Sequence, residues 1–220
     1  MSATPQLITA LLTSFLPGHR RRHPGIAVQL IEGSAVRQRI QLESGEIDLA
    51  IMPASDTRFP GRLLFPVHVL AVVPKTHRLA WRAVIDVAEI ADEPLLLLQP
   101  GFGSRATFDS ACEIAQINPR VLLECTAAHT LISLVAVGYG VAVVPSTAIS
   151  QEGKFRTLTL LLRGASIGYW EAVCSDGRRL APIYLQPFVN ELVAHCNTTN
   201  PRRKLMRRAP TLPRPGRPFS

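Results

Sequence analysis

The stretch LVAVGYGVAVVP (134–145) sets two glycines at the join of two apolar runs and stops at a proline. A chain that reverses this tightly in so hydrophobic a segment is leaving a helix and entering a buried strand. Glycine takes the left-handed conformation that closes a helix without steric cost. VAVV (141–144) is too continuously apolar to keep a solvated face, as in parallel sheets covered on both sides. The preceding residues agree: a helix through FDSACEIAQI (108–117) reaches Pro119, RVLLEC (120–125) reads as a strand, and Thr126 stands where it can cap a helix over AHTLISLVAV (128–137).

The same order occurs earlier. Thr4–Pro5 is a helix start, and Leu7, Ile8, Leu11, Leu12, Phe15 and Leu16 follow with helical spacing. That helix ends before Pro24, because a residue ahead of proline avoids the α region. IAVQLIE (26–32) reads as a strand, Gly33–Ser34 opens a helix to about Ser44, Gly45 turns the chain, and IDLAIM (47–52) is a buried strand ending at Pro53. Two similar α/β lobes follow. LLFPVHVLAVVP (63–74) carries the chain from one to the other, GYWEAVCS (168–175) returns it, and LAPIYLQPFVNELVAHC (180–196) closes the fold with a helix. The expected architecture is therefore α/β, two Rossmann-like lobes joined by two crossover strands. Lobe one comprises residues 1–67 with 166–196, and lobe two residues 68–165. A cleft between the lobes is the natural ligand site, and hinge movement the natural motion.

The net charge of +8 resembles a nucleic-acid signature until it is located. Arg202, Arg203, Lys204, Arg207, Arg208, Arg214 and Arg217 all follow Asn197, and no acidic residue accompanies them, so the remainder is close to neutral. Residues 197–220 also hold five prolines and lack apolar periodicity, which predicts a disordered basic tail. Such a tail is either a solvated appendage or a weak, salt-sensitive contact for nucleic acid. No apolar run approaches the roughly 18 residues of a membrane span, and the start lacks the pattern of a secretory signal. Cys112, Cys125, Cys174 and Cys196 are scattered without a C-x-x-C, which suits reduced thiols in a cytoplasmic protein.

His19 and His23 stand four apart, but three arginines lie between them, Pro24 follows and no third ligand is near in sequence, so no metal is expected. No catalytic motif of the nucleophile-elbow, zincin or P-loop type is present, and no enzyme is expected. GFGSRA (101–106) after a strand, with Glu124 ending the next, approaches a dinucleotide fingerprint. It lies mid-chain inside lobe two with no hydride-transfer base after it, so a nicotinamide oxidoreductase is only a remote alternative and no cofactor is expected. The helix starts at Thr4, Ser34, Ser104 and Thr126 should point to the carboxyl ends of the strands. Each offers unpaired N–H groups and the positive end of a dipole worth roughly 0.3–1 kcal/mol to an anion. Arg105 adds a fork that matches a carboxylate.

The segments FLPGHRRRHPGIAVQLIEG, LESGEIDLAIM, LAVVPKTHRLA, DVAEIADEPLLLL, PGFGSRATFD and LISLVAVGYGVAVVP, in this order, resemble the effector-binding domain of LysR-type transcriptional regulators over roughly residues 4–193. The resemblance implies a periplasmic-binding-protein-like fold of type 2, a homodimer or tetramer, and a small effector in the interlobe cleft that controls an attached DNA-binding domain. By position the family's pocket falls on Thr4, Gln6, Ser34, Ala35, Ser104, Arg105, Thr126, Ala128, His129 and Ser166. Ala35 stands where some members carry a hydroxyl, and Arg78 where a proline is usual. The family's helix-turn-helix, linker helix and first strand of lobe one should all precede Thr4, where this sequence has only Met1–Ser2–Ala3. The first strand is therefore expected to be missing, and contact with DNA to require a segment absent here. A stand-alone solute-binding protein of the same fold is the alternative.

Overall fold

The computed structural model describes residues 1–55, 58–149 and 153–199. The described residues form two compact units, one of Met1–Pro66 with residues 170–199, the other of Val67–Tyr169.

In unit one, β1 (Ser2–Ala3) leads into a helical run: α1 (Pro5–Leu7), a π-helical segment (Ile8–Leu12) and α2 (Thr13–Arg22). Then come β2 (Ile31–Glu32), α3 (Ala35–Ser44) and β3 (Ala50–Pro53). β1 pairs in parallel with both β2 and β3. The expected gap in the first lobe is thus filled by two residues, both fully buried. The strand expected over 26–32 is pared down to Ile31–Glu32 because its partner is equally short: Ser2 faces Ile31 and Ala3 faces Glu32. Ahead of that pair, the Met1 carbonyl accepts from the Ile31 N–H, the Met1 ammonium donates to the Gln29 carbonyl, and Val28 and Leu30 pack against the core.

β4 (Gly61–Pro74) runs from unit one into unit two, and β11 (Gly168–Cys174) returns and pairs antiparallel with β3. Strand alternation sends Ile51 and Val173 to one face of the unit-one sheet and Ala50, Met52, Ala172 and Cys174 to the other. The first set packs against Leu7, Leu12 and Phe15 of the helical run and Phe188 and Leu192 of α6 (Leu185–Thr199). The second packs against Ala35 and Leu42 of α3. Helix α6 continues through Asn197 to Thr199, past the expected end of the fold; the rest of the basic tail lies outside the described residues.

Unit two contains β5 (Val84–Asp86), a 3₁₀ turn (Val87–Ile90), β6 (Leu95–Leu98), α4 (Gly103–Ala115), β7 (Val121–Cys125), α5 (Ala128–Ala136), β8 (Val141–Pro145), β9 (Phe155–Leu162) and β10 (Ala165–Ser166). Its strands lie in the order β5-β9-β4-β8-β6-β7, with β6 parallel to both β7 and β8. Leu95, Leu97, Val141 and Val143 pack with Phe108 and Ala111 of α4 on one face. Leu96, Leu98, Ala142 and Val144 pack with Leu131 and Val135 of α5 on the other. Burial on both faces is why LLLL and VAVV show no alternation.

The glycines quoted at the outset divide the work. Gly138 has φ +81° and releases α5, as Gly45, φ +74°, releases α3. Gly140 is needed for a different reason: a Cβ there would lie 2.5 Å from the Pro94 carbonyl oxygen.

Candidate functional site

In unit one, β1 and β2 are adjacent and parallel, so the turns that follow them emerge side by side. Thr4 accepts from the Leu7 N–H (3.4 Å) and Ser34 from the Arg37 N–H (3.5 Å), making both N-caps. The Gly33 N–H donates to the Ala3 carbonyl, tying the two starts together. Ala35 is buried against the core, and Gln6 is 2% exposed with its Oε1 lacking a hydrogen-bond partner.

In unit two the parallel neighbours β6 and β7 bring the starts of α4 and α5 together, and the Gln99 N–H donates to the Cys125 carbonyl between them. Here the expected caps are corrected. The N-cap of α4 is Phe102 and that of α5 is Ala127; neither gives a side-chain cap. Phe102 takes this place because its ring is buried in the core, and its extended backbone offers a carbonyl to the Ala106 N–H. Ser104 is buried inside the first turn of α4, while Thr126 is exposed ahead of α5. Ala128 is buried and His129 exposed. Two helix N-termini therefore stand at one end of a sheet without side-chain acceptors for their first N–H groups.

Arg105 is not a free fork. Its Nε donates to both carboxylate oxygens of Asp109 (2.8 and 2.9 Å), and its terminal nitrogen donates to the Leu98 carbonyl (2.9 Å) and to Glu124. It is a tether between α4, β6 and β7, and it carries two carboxylates with it.

Ser166, on β10, reaches the same end of unit two. β4 runs antiparallel to β8, so Val69 faces Pro145 and the start of β4 lies where β8 finishes. His68 sits there, its N–H donating to the Ser146 hydroxyl (3.2 Å) and its Nδ1 lying 2.7 Å from the Ser166 hydroxyl. Burial lowers its pKa, keeping the ring neutral near neutral pH. Sequence reading missed both His68 and Ser146. The only signal was a polar residue interrupting an otherwise apolar crossing strand.

Among the described residues no helix is long and apolar enough to cross a membrane. The uncharacterised HTH-type transcriptional regulator YybE of Bacillus subtilis (strain 168) is 30% identical over 148 residues, covering 66% of this chain and 51% of that protein. The chain spans about half the length of the curated relatives it matches. Among solved structures, the CcmR regulatory domain of Synechocystis PCC6803 in complex with 2-PG superposes with a TM-score of 0.79 at 18% identity, covering 90% of this chain and 96% of that one. The effector-binding domain of QuiR in complex with shikimate gives 0.78 at 17%, covering 89% and 95%. These likenesses establish the fold, the type 2 periplasmic-binding-protein-like arrangement of LysR effector-binding domains. The family model of the LysR substrate binding domain matches residues 1–197, and the chain belongs to that family.

Proposed function

We propose that this chain is the effector-sensing part of a LysR-type transcription regulator. It binds a small anion, and occupancy alters how an attached DNA-binding domain grips its promoter. The observation that carries the anion is the pair of uncapped helix starts at α4 and α5, side by side after β6 and β7. Unpartnered N–H groups and two aligned dipoles favour negative charge there. Ser104, Thr126, Ala128, His129 and Ser166 supply the surrounding contacts in unit two, with His68 and Ser146 added. Thr4, Gln6, Ser34 and Ala35 stand at the neighbouring helix starts within unit one. The capture of 2-PG by CcmR and of shikimate by QuiR supports a small-molecule ligand. Arg105 is assigned to holding the α4 start in place. A coupling of about 1–3 kcal/mol suffices for such a switch. The working assembly is a homo-oligomer, and the chain performs no catalysis.

The test is calorimetric titration of the purified chain with a panel of small carboxylates and phosphorylated acids, beside Ser104→Ala and Ser166→Ala variants. We expect one compound to bind with a stoichiometry of one per chain, and both variants to weaken it about tenfold, the size of one lost hydrogen bond to a charged group. Binding that neither variant changes would remove these residues from the site. Failure of every anion, with a cation or neutral compound bound instead, would overturn the charge assignment.

A further inference from the structure

We propose that His19, His23 and Glu191 form a site for one divalent transition-metal ion of the zinc class, clamping α2 to α6 within unit one. The sequence supplies only half of this site. His19 lies in the last turn of α2 and His23 caps its C-terminus, their ring centroids 4.6 Å apart, and the missing third ligand comes from the other end of the chain. The His19 Nδ1 lies 2.9 Å from one carboxylate oxygen of Glu191, and the His23 Nε2 lies 2.6 Å from the other. One ligand atom from each of the three residues can be chosen so that all lie within 4.8 Å of one another. A tetrahedral zinc ion with bonds of about 2.0–2.2 Å spaces its ligands roughly 3.3 Å apart. To admit it, the two imidazole–carboxylate gaps open by a fraction of an ångström while the widest separation among the three ligand atoms, up to 4.8 Å, closes.

The surroundings prepare the ligands. Phe15 stacks on the His19 ring (5.5 Å between centroids), and Phe188 meets its face edge-on (4.8 Å), which fixes the ring plane. The His19 Nε2 is buried without a hydrogen-bond partner; carrying the ring proton there bares Nδ1 for an ion but leaves that N–H unpaired, a cost the metal bond must offset. The His19 side chain is 2% exposed, while those of His23 and Glu191 are 31% and 25% exposed, leaving a path from solvent. Two imidazoles and one carboxylate make a borderline donor set that suits zinc and its neighbours over magnesium or calcium, and three protein ligands leave a position for water. Without an ion, the same carboxylate accepts from both rings and from Arg22 (2.8 Å), a proton-held clasp that an ion would replace. Arg22 opposes the incoming charge, so its removal should tighten binding.

The test uses the full 220-residue chain stripped with a chelator and titrated with zinc chloride by calorimetry, with cobalt(II) absorption as a direct report of nitrogen and oxygen ligands. One zinc per chain is expected. His23→Gln and Glu191→Gln should each weaken it at least about tenfold, and Arg22→Ala should bind it severalfold tighter. Zinc should raise the unfolding temperature of the wild type but not of His23→Gln, a surface variant whose fold is checked by circular dichroism. Absence of binding at millimolar zinc would overturn the site. So would zinc that binds both variants as tightly as the wild type, or a cobalt spectrum dominated by thiolate, which would place the metal at a cysteine instead. Anion binding at the starts of α4 and α5 is independent of either outcome.

Discussion

The Nδ1 of His68 lies 2.7 Å from the hydroxyl of Ser166, across 98 positions of sequence. The ring is only 3% exposed, and its burial lowers its affinity for a proton. The unfolded chain protonates this group near the ordinary 6.5, while the folded chain resists until a lower pH. Folded stability attributable to His68 is therefore complete above that value and declines as the pH falls below it. Thermal unfolding of His68→Asn against wild type should show the stability difference shrinking or reversing as pH drops from about 7.5 to about 5. A difference that stays constant with pH would mean that the ring does not titrate.

Glu171 has the opposite sign. It is 3% exposed, its Oε2 has no hydrogen-bond partner, and burial pushes its carboxyl up to about 8. The folded state keeps a proton that the unfolded chain loses near 4.5, so stability falls as pH rises between these two values. Glu171→Gln cannot ionise. Its advantage over wild type in chemical denaturation should grow by on the order of 5 kcal/mol between acidic and alkaline buffer. Equal curves would show the carboxyl to be solvated.

The two glycines of the α5–β8 turn should respond differently to alanine. Gly140→Ala drives a methyl to 2.5 Å from the Pro94 carbonyl oxygen and 3.2 Å from the Leu96 side chain, a clash that costs about 2–3 kcal/mol. Gly138→Ala meets open space and bears only the left-handed backbone cost of about 1 kcal/mol. Urea unfolding of the two variants would order them; a larger loss at Gly138 would contradict the packing at Gly140.

Removing Arg105 should act on stability before it acts on ligand. Arg105→Ala leaves Asp109 and Glu124 facing each other and frees the Leu98 carbonyl. Both carboxylates are about 40% exposed, so solvent screening holds the loss to about 1–2 kcal/mol. A lowered unfolding midpoint without any added ligand is the expected result. An unchanged midpoint would return the guanidinium to the role of a ligand fork.

The fold was legible wherever one local rule decided the outcome. Continuous apolar runs marked IDLAIM and VAVV as buried strands, covered on both faces in the structure, and the hydroxyls of Thr4 and Ser34 do cap their helices. Local rules failed where a distant partner made the choice. Phe102, held by the core, displaced Ser104 from the cap of α4. The shortness of β1 set that of β2. Glu191, 172 positions from His19, completes a cluster that spacing alone dismissed. His68 and Ser166 lie on different strands, and no periodicity links them.

Ser2 and Ala3 are walled in by β2 and β3, and the chain direction there points toward Thr4 and Ser34. A polypeptide joined ahead of Met1 must consequently leave along the strand axis from the opposite rim. A fluorescent reporter or purification handle attached there would stand clear of the helix starts at Thr4 and Ser34. Any pull it exerted would act lengthwise on the middle ribbon of unit one, the most direct mechanical line from that junction to the Thr4 and Ser34 turns.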